Sequence, residues 1–188
     1  MRLKDGMMRT ITKTVNIYTY SELSESSRER VRQRFAEWDG YVWSDDAFAS
    51  IKALAAHFNT KVADWSVDWF DSSYSRMRFE TPYDELTRDE IGGLLAELGT
   101  YDPDTLKGHG ECKLTGYGTD EDAIDGFRIA FMGGESDLNK LLQAAFRSWL
   151  AACQADCADY YSDERFAELC DINEWEFNES GDIIKGDK

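Results

Sequence analysis

LNKLLQAAFRSWLAACQADCADYY, residues 138–161, is the longest periodic run in the chain. Leu138, Leu141, Leu142, Ala145, Phe146, Trp149, Leu150, Cys153, Cys157, Tyr160 and Tyr161 recur at i, i+3 and i+4, which places them along one helix face. A stripe of that length predicts the core helix. On its C-terminal side Ser162 reads as the cap of a further helix carrying Phe166, Leu169 and Cys170. Trp175-Glu176-Phe177 and Ile183-Ile184 then flank an Asn-Glu-Ser-Gly turn, the pattern of a terminal hairpin.

On the N-terminal side, Thr119 reads as the cap of a short helix through Ile124 and Phe127 that ends by Gly133-Gly134. Thr87-Arg88-Asp89-Glu90 is a capping box ahead of Ile91, Leu94, Leu95 and Leu98, with Gly99 as the stop and Gly92-Gly93 as a local weakness. Residues 101–118 are loop-rich. Trp65, Val67 and Trp69 alternate with Asp64, Ser66 and Asp68. A turn at Asp71-Ser72-Ser73 would set Val67 opposite Met77, Trp65 opposite Phe79 and Asp68 opposite Arg76. A helix after Ser44 carries Asp45 and Asp46 in its first turn and Phe48, Ile51, Ala55 and Phe58 on one face. Ser24 caps another, with Val31, Phe35 and Trp38 as its stripe and Arg28, Arg30, Arg32 and Arg34 around it. Ile11–Tyr20, rich in β-branched residues, predicts a strand. The fold expected is therefore α+β: a small antiparallel sheet made of the N-terminal strand, the central hairpin and the C-terminal hairpin, packed with five to six helices. Residues 1–188 are expected to form one domain, with 1–10 as a flexible tail.

The chain carries 37 Asp/Glu against 21 Lys/Arg, a formal net charge of −16. That balance opposes direct nucleic-acid binding, which needs cations massed on one face, and favours a basic partner. The first 34 residues are net basic, so the acid belongs to the body from Phe35 onward. No apolar run is long enough to span a membrane and the N-terminus lacks a secretory pattern, so a cytoplasmic location is expected. Four cysteines, Cys112, Cys153, Cys157 and Cys170, do not make a disulfide framework in a chain this long.

Catalytic motifs are weak. Pro103-Asp104 followed by Glu111-Cys112-Lys113 has the P-D…E-x-K order of a metal-dependent nuclease, in which two carboxylates hold Mg²⁺ and a lysine sits near the attacked phosphate. Only six residues separate the two acids, and the acidic body would repel the substrate. Cys153, Cys157 and Cys170 with His109 or Cys112 have the elements of a zinc site, but Cys153 and Cys157 extend an apolar stripe. Asp120, Asp122 and Asp125-Gly126 lack the oxygen ligand and the glutamate of a calcium loop, since Ile124 stands at a ligand position. His57 reads as a helix-surface residue. Neither a metal, a cofactor nor a catalytic set is expected. The carboxylates instead suggest a partner-binding surface: Asp120, Glu121, Asp122 and Asp125; Asp156, Asp159, Asp163 and Glu164; Glu174, Glu176, Glu179 and Asp182, placed on the C-terminal half with Trp and Tyr as anchors.

YTYSELSESSRERVRQRF, CKLTGYGTDEDAIDGF and SDERFAELCDINEWEFNESGDII resemble a group of bacteriophage- and prophage-encoded acidic proteins often labelled antitoxin-like. The resemblance implies a phage origin and, by class, an anti-CRISPR or similar anti-defence role in the host bacterial cytoplasm. The expected function is stoichiometric inhibition of a bacterial nucleic-acid-targeting complex through an acidic surface that imitates DNA. The alternatives are a metal-dependent nuclease using Asp104, Glu111 and Lys113, and an antitoxin that neutralises a toxin protein.

Overall fold

Six helices and two antiparallel hairpins make a mixed α+β fold in the computed structural model, which describes residues 14–81, 86–99 and 114–185. In chain order the elements are α1 (Glu25–Asp39), α2 (Ser44–His57), β1 (Lys61–Ser66), β2 (Arg76–Glu80), α3 (Arg88–Glu97), α4 (Thr119–Met132), α5 (Leu138–Tyr160), α6 (Asp163–Ile172), β3 (Glu176–Phe177) and β4 (Ile183–Lys185). The contacts divide the chain into two compact units, residues 38–161 and residues 1–37 with 162–188. The tail assigned to residues 1–10 lies outside the described residues.

In the 38–161 unit, α5 follows the predicted stripe, and Leu141, Leu142, Ala145, Trp149 and Cys153 are fully buried. Each large side chain so enclosed contributes about 1.5–3 kcal/mol by leaving water. The Trp149 indole keeps its polar atom satisfied by donating from Nε1 to the Ala47 carbonyl at 2.9 Å, as a buried N–H must. Phe58, just after α2, stacks on Phe127 of α4, ring centres 4.4 Å apart. The capping box at Thr87 forms as expected, with the Thr87 amide donating to Glu90 at 2.8 Å and the Glu90 amide to Thr87 at 3.3 Å. His57 departs from its reading as a surface residue. It is half-buried, and its Nε2 donates to the Leu94 carbonyl at 2.8 Å, fastening α2 to the end of α3.

The central hairpin forms, but two residues out of the expected register. Trp65 faces Met77, Ser66 faces Arg76, and Asp64 takes the place opposite Arg78. The shift arises because Asp68 is a turn residue rather than a strand residue. Its carboxylate accepts the amides of Phe70 at 2.9 Å and Asp71 at 3.0 Å, and its own amide donates to Ser75 Oγ at 2.8 Å. Such local side-chain bonds compete with ladder pairing. Met77 and Phe79 are buried all the same, because a slip of two preserves the face. An irregularity between Val62 and Asp64 puts Val62 opposite Phe79.

The other unit packs α1, α6 and the β3–β4 hairpin around Tyr20, Val31, Phe35, Phe166 and Phe177. Phe35 stacks on Trp175 at 4.8 Å and meets Phe166 edge-on at 5.1 Å. Ser24 and Ser162 cap their helices as expected, accepting the amides of Ser27 at 3.2 Å and Arg165 at 3.3 Å. Gly181 closes the terminal hairpin at φ +87°, and an added Cβ would lie 2.6 Å from Val31 Cγ2. Among the described residues the predicted N-terminal strand is reduced to an isolated bridge. Ile11 lies outside the described residues, Val15 and Ile17 are exposed, and pairing is confined to one bridge between Tyr18 and Phe177. Thr19 ends it: its amide donates to Glu22 Oε2 at 2.8 Å, opening a 3₁₀ turn over Tyr20–Glu22.

Candidate functional site: an acidic patch centred on tyrosines

Charge is unequal between the units. Residues 38–161 hold 23 Asp/Glu against 10 Lys/Arg, whereas the remainder holds 14 against 11. The arginines of α1 account for much of that balance, because they meet the C-terminal acids. Asp163 is shared by Arg32, Arg28 (3.4 Å) and the Tyr20 hydroxyl (2.8 Å). Arg34 pairs with Asp182 at 2.8 Å, and Lys185 with Glu176 at 3.5 Å. Hydrogen bonds from Asn178 and then Arg34 hold Asp182 below the usual carboxylate range. Asp163, Asp182 and Glu176 are therefore engaged within their own unit, while Glu164, Glu174 and Glu179 are exposed.

Asp120, taken from the sequence as a surface acid, is fully buried. Its carboxylate accepts the amides of Thr115 at 2.8 Å and Gly116 at 2.7 Å and the Thr115 hydroxyl at 2.9 Å. It anchors the loop that enters α4 and cannot face a partner. Thr119, read as the cap of that helix, is its first residue instead; its hydroxyl is buried without a hydrogen bond. Asp125 pairs with Arg128 at 2.7 Å. Glu121 and Asp159 are exposed and Asp122 is half-buried.

Four further acids of this unit, Asp39, Asp46, Asp122 and Asp156, are linked to a group of tyrosines or to one another. Tyr41, buried just after α1, donates from its hydroxyl to Asp156 Oδ2 at 3.0 Å and lies 3.4 Å from the Tyr117 hydroxyl. Trp43 meets Tyr41 edge-on at 5.8 Å and Tyr160 at 5.2 Å, which extends the aromatic surface along α5. Burial raises Tyr117, and the Asp156 and Asp46 charges add to the effect. Burial likewise raises Tyr160, with Asp39 contributing. Asp122 is held above the ordinary carboxylate range by burial first and then by the charges of Asp125, Glu121 and Asp156. Carboxylates crowded so that one resists ionisation make a site where an added cation is favoured. Among the described residues no ion pair engages Asp39, Asp46, Asp122 or Asp156.

Sequence reasoning reached Glu121, Asp122, Asp125, Asp156 and Asp159 but missed Asp39, Asp46, Tyr41 and Tyr117. The signal was the interleaving of acids and aromatics in WDGYVWSDD, residues 38–46. Cys153 and Cys157 lie beneath the patch as buried free thiols, pushed up by burial to about 12 and about 11. Cys170 belongs to the other unit and is raised by burial to about 12. Thiols so raised are poor nucleophiles. Among the described residues no group of three or more His, Cys, Asp or Glu is arranged to hold a metal ion. Asp104, His109, Glu111, Cys112 and Lys113 lie outside the described residues. No helix among those described is long and apolar enough to cross a membrane.

Fold and patch together define a mixed α+β protein with a carboxylate-lined aromatic surface on its 38–161 unit. No protein-family model, curated protein or solved structure matches the chain.

Proposed function

We propose that the chain is a stoichiometric binding protein whose 38–161 unit occupies a basic, nucleic-acid-binding surface of a bacterial defence complex in the cytoplasm. The observation that carries this reading is a group of carboxylates without an ion pair among the described residues, Asp39, Asp46, Asp122 and Asp156, set around Tyr41, Tyr117, Trp43 and Tyr160. Arginines approaching such a patch gain charge-assisted hydrogen bonds from the acids and cation–π contact from the rings. Tyrosine and tryptophan are also the residues that most often anchor interfaces. The electrostatic field of the acidic unit would speed the encounter and exclude nucleic acid from the same surface.

Two triple variants of equal charge change test it. Asp39→Lys with Asp46→Lys and Asp122→Lys alters the patch; Glu164→Lys with Glu174→Lys and Glu179→Lys alters exposed acids of the other unit. Each is compared with the parent for capture of bacterial proteins and for displacement of DNA or RNA from the captured complex. The patch variant is expected to lose displacement about a hundredfold, in line with loss of several interfacial charge contacts, while the other stays close to the parent. Equal loss in both would mean net charge alone is at work. Recovery of a toxin with no nucleic-acid-binding subunit would replace this reading with the antitoxin one. DNA cleavage by the parent with Mg²⁺, abolished by Lys113→Ala, would replace it with the nuclease.

A further inference from the structure

A groove of about 540 Å³ in the 38–161 unit contrasts with the acidic balance of that unit. One wall is β2 with the turn before it, and the other is the outward face of α5. Its lining includes two arginines, Arg76 and Arg147, and no acidic residue, in a chain of net charge −16. From Leu138 to Ala155, α5 carries no acid at all. Arg147 Nε donates to the Gln143 carbonyl at 3.1 Å, which fixes the head group and leaves its terminal nitrogens without a described acceptor. Arg76 is exposed and makes no ion pair with a described acid.

The two walls are tied together by side-chain amides rather than by the arginines. Gln143 donates to the Met77 carbonyl at 2.7 Å and Gln154 to the Asp68 carbonyl at 3.1 Å, so both glutamines brace the groove. Met77, Phe146 and Leu150, each under 5% exposed, form an apolar floor. A volume of this size falls in the range of about 300–1,000 Å³ typical of small-molecule sites.

We propose that this groove binds a small organic phosphate, its phosphoryl group held by Arg76 and Arg147 and its organic part resting on the apolar floor. Two guanidiniums match a phosphate monoester, which carries about −1.5 to −2 charge at pH 7, and the guanidinium fork suits its oxygens. A long polyanion is disfavoured, because beyond the groove it would meet the surplus carboxylates of the same unit. Screening over about 8 Å at physiological salt leaves the local positive charge effective for a compact ligand.

Calorimetric titration of the full chain with adenosine monophosphate, glucose 6-phosphate, inorganic phosphate and citrate tests the assignment. At least one organic phosphate is expected to bind one to one and more tightly than inorganic phosphate or citrate. Arg76→Gln and Arg147→Gln should each weaken it about tenfold or more, the loss of a hydrogen bond to a charged group. Arg78→Gln, an equal charge change on the same strand but outside the groove, should leave it within about twofold. Arg147→Lys, which keeps the charge but not the fork, should fall between and guards against a folding defect. The proposal is overturned if no organic phosphate binds at millimolar concentration, if citrate binds as well, or if Arg78→Gln costs as much as Arg147→Gln. Tighter binding of duplex DNA, lost in the same two variants, would assign the groove to nucleic acid instead.

Discussion

Asp120 shows how much a single carboxylate can organise. With no solvent exposure, it accepts two backbone amides and a hydroxyl, and it sits where α4 begins, so the helix dipole also favours its charge. Asp120→Ala would leave the Thr115 and Gly116 amides without their acceptor and should cost about 3 kcal/mol, by the desolvation of buried donors. Urea unfolding followed by tryptophan fluorescence measures it, and a loss below about 1 kcal/mol would mean that water replaces the carboxylate without cost. The sequence could not separate Asp120 from its acidic neighbours. Glu121 and Asp122 have the same chemistry and differ only in which side of α4 they occupy, and the loop that supplies the donors to Asp120 carries no periodic pattern. His57 was misread for the same reason, since its partner is a carbonyl 37 residues away.

At the scale of elements, helices were legible because their evidence is local: an i, i+4 stripe and a serine, threonine or aspartate at the start. The long α5 run and the capping box at Thr87 needed no knowledge of neighbours. Register needed more, and the hairpin slipped because the turn-forming strength of Asp68 and Ser75 outweighed one extra pair of strand residues. Close packing is also invisible in a pattern of apolar residues. Gly126 lies where α4 meets α5, and a Cβ there would sit 2.5 Å from Ser148 Cβ and 2.7 Å from the Ala144 carbonyl oxygen. Gly126→Ala should therefore destabilise by about 1–3 kcal/mol, overpacking exceeding the gain in helix propensity. Gly93 in α3 has nothing within 4 Å of the same position, so Gly93→Ala should stabilise by about 0.5–1 kcal/mol. Thermal melts of the two variants ought to move in opposite directions; a rise in both would show that the α4–α5 contact relaxes.

Over the whole molecule, composition disclosed the acidic balance but not its distribution. The net-basic N-terminal residues and the acidic C-terminal residues look like two separate charge blocks in sequence, yet Arg28, Arg32 and Arg34 pair with Asp163 and Asp182. The unbalanced charge is left to residues 38–161, and it has two consequences of opposite sign in salt. Self-repulsion within the unit opposes compaction and is relieved as the screening length falls from about 30 Å at 0.01 M to about 8 Å at 0.15 M. Tm should then rise with salt, by about 2–4 °C for each 1 kcal/mol of repulsion removed in a chain of this size. Association with a basic partner should instead slow by about tenfold or more over the same range, since its encounter rate depends on the field that salt screens. Measuring both on one preparation, by calorimetry and by stopped-flow binding, separates weakened attraction from loss of fold. An association rate unchanged by salt would exclude the acidic patch as the steering surface even if Tm rose as expected, because the repulsion that salt relieves and the attraction that it screens arise from the same carboxylates.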